Sequence, residues 1–154
     1  MFHIVLYEPE IPPNTGNIIR LCANTGSALH LIQPCAFELD DKKLRRAGLD
    51  YHEWASIRMH SNIDEFFDSL LPTQRVFACS TKGAIAYNDP DYQVDDVFLF
   101  GPESRGLPGS ILDAAWVKSV IRIPMKAQSR SLNLSNSAAI ILYEGLRQTG
   151  FGFN

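Results

Sequence analysis

No stretch of this chain approaches the roughly 18 consecutive apolar residues that a membrane helix needs, and its first residues lack the basic-then-apolar layout of a secretory signal. Cysteine is scarce. Cys22, Cys35 and Cys79 are odd in number and widely spaced, which predicts neither a disulfide framework nor a Cys-x-x-Cys metal site. His3, His30, His52 and His60 share no metal-ligand spacing, so no metal centre is expected. Also missing are G-x-x-x-x-G-K-[ST], G-x-G-x-x-G after the first apolar run, H-E-x-x-H and G-x-S-x-G. These absences count against a hydrolase, a kinase or a classical dinucleotide enzyme, and they predict a reduced, cytoplasmic protein with no membrane partner.

A basic excess is lacking as well. Lys and Arg number 14 against 17 Asp and Glu, a net charge of −3, whereas nucleic-acid binders usually carry a positive balance. The acids are unevenly spread, however. Between Ile85 and Trp116 lie Asp89, Asp91, Asp95, Asp96, Glu103 and Asp113 against the single base Arg105, which leaves 13 basic and 11 acidic residues elsewhere. A locally basic face therefore remains open.

What the chain does have is alternation. Its 154 residues suit one domain. Apolar runs Phe2–Tyr7, Leu29–Ile32, Arg75–Cys79, Val97–Phe100 and Val120–Ile123 read as strands, with a further strand near Ala55–Met59. Helical patterns fall near Asn17–Asn24 (capped from Asn14–Asn17 and stopped by Gly26), Lys42–Ala47, Ile63–Leu71 and Leu134–Arg147. Leu134, Ala138, Ile141 and Leu142 make the last one amphipathic. Strands alternating with helices predict one α/β domain with a mostly parallel sheet flanked by helices.

Three polar segments follow apolar strands, where open α/β sheets place their ligand crevices. In the first, Asn14-Thr15-Gly16-Asn17-Ile18-Ile19-Arg20, Arg20 is expected to face the loop carrying Asn14; a solvated arginine on a capped helix is the plain alternative. The second, Phe100-Gly101-Pro102-Glu103-Ser104-Arg105-Gly106-Leu107-Pro108, reads as a rigid loop with exposed backbone, in which Gly101 permits close approach and Gly106 a positive φ. A simple surface turn needs fewer prolines and glycines. The third runs from Ile123-Pro124-Met125 through Lys126 to Ser129-Arg130-Ser131-Leu132-Asn133-Leu134-Ser135-Asn136-Ser137. Asn133 or Ser135 must cap the following helix, and the surplus polarity predicts a binding loop.

In order and wording, N-x-G-N-x-x-R, F-G-P-E-S-R-G-L and I-P-M…S-R-S-L-N-L-S-N-S resemble the three motifs of the SpoU–TrmD (SPOUT) methyltransferases. The resemblance spans essentially the whole chain. It is closest to the minimal, single-domain members that act on the ribose of tRNA nucleotide 34, a match sharpened by Leu6–Asn17 and Leu44–His52. It implies a single SPOUT domain over residues 1–154, whose C-terminal segment threads a loop as a deep trefoil knot, with the knot and cofactor region at about 75–154. It implies S-adenosylmethionine as methyl donor, held by main-chain groups near Cys79, Ser80 and Thr81 with Gly101, Ile123, Met125, Ser131 and Leu132. The implied reaction is 2′-O-methylation of wobble nucleotide 34, cytidine or modified uridine, in leucine tRNAs. Another tRNA or rRNA ribose, or a catalytically silent RNA-binding dimer, is the alternative.

The family assigns hydroxyl activation to the arginine of the first motif, here Arg20. A guanidinium is an improbable free base, so the expected role is to fix a phosphate and stabilise the developing alkoxide, with the proton leaving to a phosphate oxygen or water. Asn14, Glu103 and Asn133 would position Arg20 and the ribose, and no metal is required. Lys42, Lys43, Arg45 and Arg46, joined by Lys126 and Arg130, would contact phosphates of the anticodon stem-loop. By themselves the four bases of 42–46 also suit a solvated helix face. Tyr51, His52 and Tyr143 would stack on or hydrogen-bond an unpaired base, a packing role being the alternative for each. Members work as homodimers, which implies that this short chain grips tRNA as a pair.

Overall fold

A computed structural model describes residues 1–153. Seven strands, β1 (His3–Tyr7), β2 (Ala28–Ile32), β3 (Arg58–His60), β4 (Val76–Cys79), β5 (Ile85–Ala86), β6 (Val97–Phe100) and β7 (Val117–Arg122), form one sheet in the order β3-β2-β1-β6-β4-β7-β5. Every pairing is parallel, so all strands present their C-terminal ends at one edge. Parallel strands are covered on both faces. In β1, Ile4 and Leu6 enter one core with Phe2, Phe77, Phe98 and Ile141, while Val5 enters the other with Ile32, Phe66, Leu99 and Ile111. Helices α1 (Pro12–Thr25), α2 (Asp41–Arg46), α3 (Tyr51–Trp54) and α6 (Leu134–Gln148) contribute to the first core; α4 (Ile63–Ser69) and α5 (Gly109–Leu112) cap the second.

Several boundaries differ from those the sequence predicts. α1 begins at Pro12, not at Asn17, because Pro12 and Pro13 fill positions whose missing N–H groups have no helical partner in any case. Its preceding residue, Ile11, offers no side-chain cap, so Asn14 lies buried inside the first turn. The helix stops at Gly26, in the left-handed region at φ 67°. The strand expected near 55–59 is β3, one to three residues later, because Asp50 and Glu53 form a capping box that starts α3. α4 ends at Ser69, before the residue restricted by Pro72. β7 starts three residues earlier than expected and stops at Arg122. Asn133 caps α6, accepting from the N–H groups of Ser135 and Asn136.

One connection governs the far edge of the sheet. β4 and β5 lie on opposite sides of β7, although only residues 80–84 join them. The bridge crosses the end of β7 so closely that a Cβ on Gly83 would sit 2.8–2.9 Å from backbone atoms of Val120 and Ile121. No residue but glycine fits there.

At the opposite edge the parallel register aligns three histidines that the sequence spacing leaves unrelated. His3 Nδ1 lies 3.1 Å from His30 Nε2, and His30 Nδ1 lies 2.9 Å from His60 Nε2. All three are buried. They form a hydrogen-bonded row, and among the described residues no group of His, Cys, Asp and Glu is arranged to hold a metal.

Candidate active site

The loops after β4, β6 and β7 meet the starts of α1 and α6 around a cavity of about 450 Å³. Since β6, β4 and β7 are neighbours, their three following loops converge at one sheet edge. Cys79, Ser80, Thr81, Gly101, Ile123, Met125, Ser131 and Leu132 all line this cavity, as do Asn14, Glu103 and Asn133. Sequence reasoning left out Leu107, Leu134 and Ile141, which add an apolar wall. A Cβ on Gly101 would overlap Leu107 N and Gly106 C, so the loop can fold back on itself only over glycine. Gly106 turns it at φ 67°. Burial pushes the Cys79 thiol well above its ordinary pKa, which leaves it a poor nucleophile.

Glu103 organises the entrance. Its carboxylate accepts the N–H of Glu10 at 2.9 Å and of Ile11 at 2.7 Å, and the Asn14 amide at 3.2 Å. A carboxylate from another loop thus supplies the negative charge at the start of α1 that Ile11 cannot. The Asn133 amide donates to Asn14 Oδ1 at 2.9 Å, while Asn133 Oδ1 caps α6. Glu103, Asn14 and Asn133 therefore form one chain of hydrogen bonds through all three motif segments. Two further links clamp the first loop to the second: Glu10 accepts the N–H and hydroxyl of Ser104 at 2.8 and 2.7 Å, and Arg105 pairs with Glu8 at 2.8 Å. The Ser104 N–H and then its hydroxyl hold the Glu10 carboxyl below the ordinary range. Glu8 adopts φ 49°, a costly conformation for a residue with a Cβ. Sequence reasoning missed Glu8, Glu10 and Ser104; two acids directly after a buried strand were the available signal.

Arg20 is placed otherwise than expected. Asn14, Glu103 and Asn133 bond to one another and not to Arg20, which is absent from the lining of its own cavity. The reason is the earlier start of α1: with Asn14 already helical, six residues at about 100° each turn Arg20 roughly 120° away from it. Its guanidinium instead meets Glu53, with Nε 3.0 Å from Oε2 and Nη2 3.4 Å from Oε1, and also donates to the Gly48 carbonyl.

Lys42, Lys43, Arg45 and Arg46 are exposed on α2, which turns only Leu44 inward. None of the four pairs with a carboxylate among the described residues. Lys126 and Arg130 are exposed on the loop before α6. Tyr51, His52 and Tyr143 are exposed too, with the Tyr51 ring edge-on to Trp54 and the Tyr143 ring near Phe151.

The profile of the SpoU rRNA Methylase family matches residues 1–143. A tRNA (cytidine(34)-2′-O)-methyltransferase of Yersinia pestis is 59% identical, over 98% of this chain and 96% of its own. A solved structure bearing on 2-OH methylation of C/U34 on tRNA superposes with a TM-score of 0.89 at 43% identity, covering 97% of each chain. An AdoMet-bound rRNA methyltransferase of Sinorhizobium meliloti superposes with a TM-score of 0.82 at 26% identity, over 95% of this chain and 56% of its own.

Proposed function

Because this chain belongs to the SpoU rRNA Methylase family, we propose that it methylates the ribose 2′-hydroxyl of nucleotide 34 in leucine tRNAs, with S-adenosylmethionine as donor. The observation that carries the reading is the cavity fenced by the Glu103–Asn14–Asn133 chain. Its residues fit the donor. The loop folded back over Gly101 lines the cavity with residues 101–107, and Ile123, Leu132, Leu134 and Ile141 supply an apolar wall of the kind that takes an adenine ring. The names of the Yersinia pestis and C/U34 relatives support the position.

When bound, S-adenosylmethionine supplies a sulfonium methyl. Transfer would exchange the sulfur–carbon bond for a ribose oxygen–carbon bond and release S-adenosylhomocysteine, with the hydroxyl proton passing to a phosphate oxygen or water. Alignment supplies much of the acceleration in such a displacement. Glu103, Asn14 and Asn133 keep the three loops in register, and Arg20 stabilises the oxygen as charge develops on it. Hydrogen bonding to Glu53, then its charge, raises the Arg20 pKa further, which supports a permanent cation in preference to a base.

Arg20 lies outside its own cavity while Ile140, Phe151 and Phe153 expose apolar surface on and after α6. Both features support a homodimer in which a second copy brings its Arg20 to this cavity. Lys42, Lys43, Arg45, Arg46, His52, Lys126, Arg130 and Tyr143 form the tRNA-facing set. The bridge 80–84 passing across β7 supports threading of the later chain through a trefoil knot within one domain, residues 1–154. No helix among the described residues is long and apolar enough to cross a membrane, and we place the enzyme with its tRNA in the cytoplasm.

Mass spectrometry of anticodon fragments from a strain lacking the gene tests the reading: 2′-O-methylation at nucleotide 34 of leucine tRNAs disappears and returns with purified protein and donor. Unchanged methylation there overturns it. Arg20→Ala abolishes transfer while isothermal titration still shows donor binding. The family's rRNA description and the Sinorhizobium meliloti relative favour a second reading, an rRNA ribose, which methylation of rRNA fragments by the same preparation would reveal.

A further inference from the structure

We infer that Glu53 is a positioning residue for Arg20, an ion-pair latch that fixes this guanidinium relative to the basic helix α2. The inference rests on the methyltransferase reading for its consequence, but its geometry stands independently. The Glu53 side chain is only 9% exposed, against 50% for Arg20, so the carboxylate is the fixed partner and the arginine the guided one. Glu53 Oε1 also accepts the N–H of Asp50 at 2.8 Å. That capping-box bond locks the carboxylate rotamer before Arg20 arrives. An exposed ion pair ordinarily gives up side-chain entropy on both sides and stabilises little; here one side is already ordered.

The latch takes a particular edge of the guanidinium. Nε and Nη2 are engaged by Glu53, and Nη2 also by the Gly48 carbonyl. Nη1 has no hydrogen-bond partner among the described residues. A planar fork held along one edge presents its remaining N–H groups in a set direction, as a phosphate or a developing alkoxide requires. Gly48, at φ 81°, closely follows the end of α2, and Glu53 lies in the next short helix. The groups that hold Arg20 thus belong to the same segment as Lys42, Lys43, Arg45 and Arg46. A tRNA phosphate seated on α2 is held at a fixed offset from Arg20.

Two substitutions separate positioning from capping. Glu53→Gln keeps an acceptor for the Asp50 N–H but loses the charge and the bidentate grip; Glu53→Ala loses both. Single-turnover methyl transfer falls roughly tenfold or more in both variants, while donor affinity by isothermal titration stays within about twofold. Glu53→Gln at the wild-type rate with only Glu53→Ala impaired overturns the inference, since it reduces Glu53 to a helix cap. A readout free of activity is the Arg20 Nε–H resonance, protected from exchange in wild type and exposed in Glu53→Gln. Equal exchange in the two proteins overturns the latch. Absence of transfer to any RNA by the wild type, with the resonance still protected, overturns the activity instead.

Discussion

His30 lies between two other imidazoles inside the sheet, with the Phe66 ring edge-on at 5.7 Å. Burial first, then the fields of His3, His60 and Arg58, pull its pKa from 6.5 to about 3. Around the row lie Asp95 and the N-terminus near His3 and Glu65 near His60; burial still lowers both of those histidines. A histidine kept neutral by folding binds its proton more readily in the unfolded chain. Its stabilisation is therefore complete above about pH 6.5 and is lost as pH falls from there toward 3. His30→Gln keeps a hydrogen-bonding side chain without the titration. Urea unfolding at a series of pH values is expected to show a shallower fall in stability below pH 6.5, by up to about 1.4 kcal/mol per pH unit. Identical slopes in the two proteins would refute this account. The row itself was invisible in the sequence, because residues 27 and 30 positions apart become neighbours only once the β1–β2–β3 register is known. Arg20 was misplaced for a related reason. Its residue type pointed to function, but its direction depended on where α1 begins.

Among the elements, α2 and α3 carry the residues proposed to face the substrate on very short helices. α2 is six residues long and has one buried anchor, Leu44, together with an Asp40 cap. Its four exposed bases are the proposed phosphate-binding stripe. Replacing Lys42, Lys43, Arg45 and Arg46 by alanine lowers tRNA affinity and flattens its dependence on salt, by about 0.7–0.9 in log–log slope for each phosphate left unneutralised. Donor binding is unchanged. Filter binding across a potassium chloride series reads both effects, and an unaltered slope would remove α2 from the interface. Long or strongly patterned elements such as α6 and β6 were legible in the sequence. α3, α5 and β5 were not: each spans only two to four residues, too few for a periodic signal. For α3 the Asp50-x-x-Glu53 pair was the one available cue, and it also supplies the carboxylate that holds Arg20.

At the scale of the whole molecule, alternation of strands and helices foretold the parallel sheet, but strand order was not legible. β6 and β4 separate β1 from β7, and that arrangement alone brings the three motif loops to one cavity. The proposed homodimer has a direct consequence: sedimentation equilibrium gives a mass near twice 17.2 kDa, and Ile140→Asp with Phe151→Asp shifts the protein toward monomer. A wild-type monomer at all concentrations would refute the pairing. The bridge across β7 also bears on biosynthesis. Among the described residues β5 pairs only with β7, which a ribosome makes well after it, and the cavity closes only when the segments leading into α6 follow. A nascent or prematurely released N-terminal fragment therefore lacks the proposed donor pocket altogether. It can carry the basic helix, but it cannot modify RNA before the chain is nearly finished.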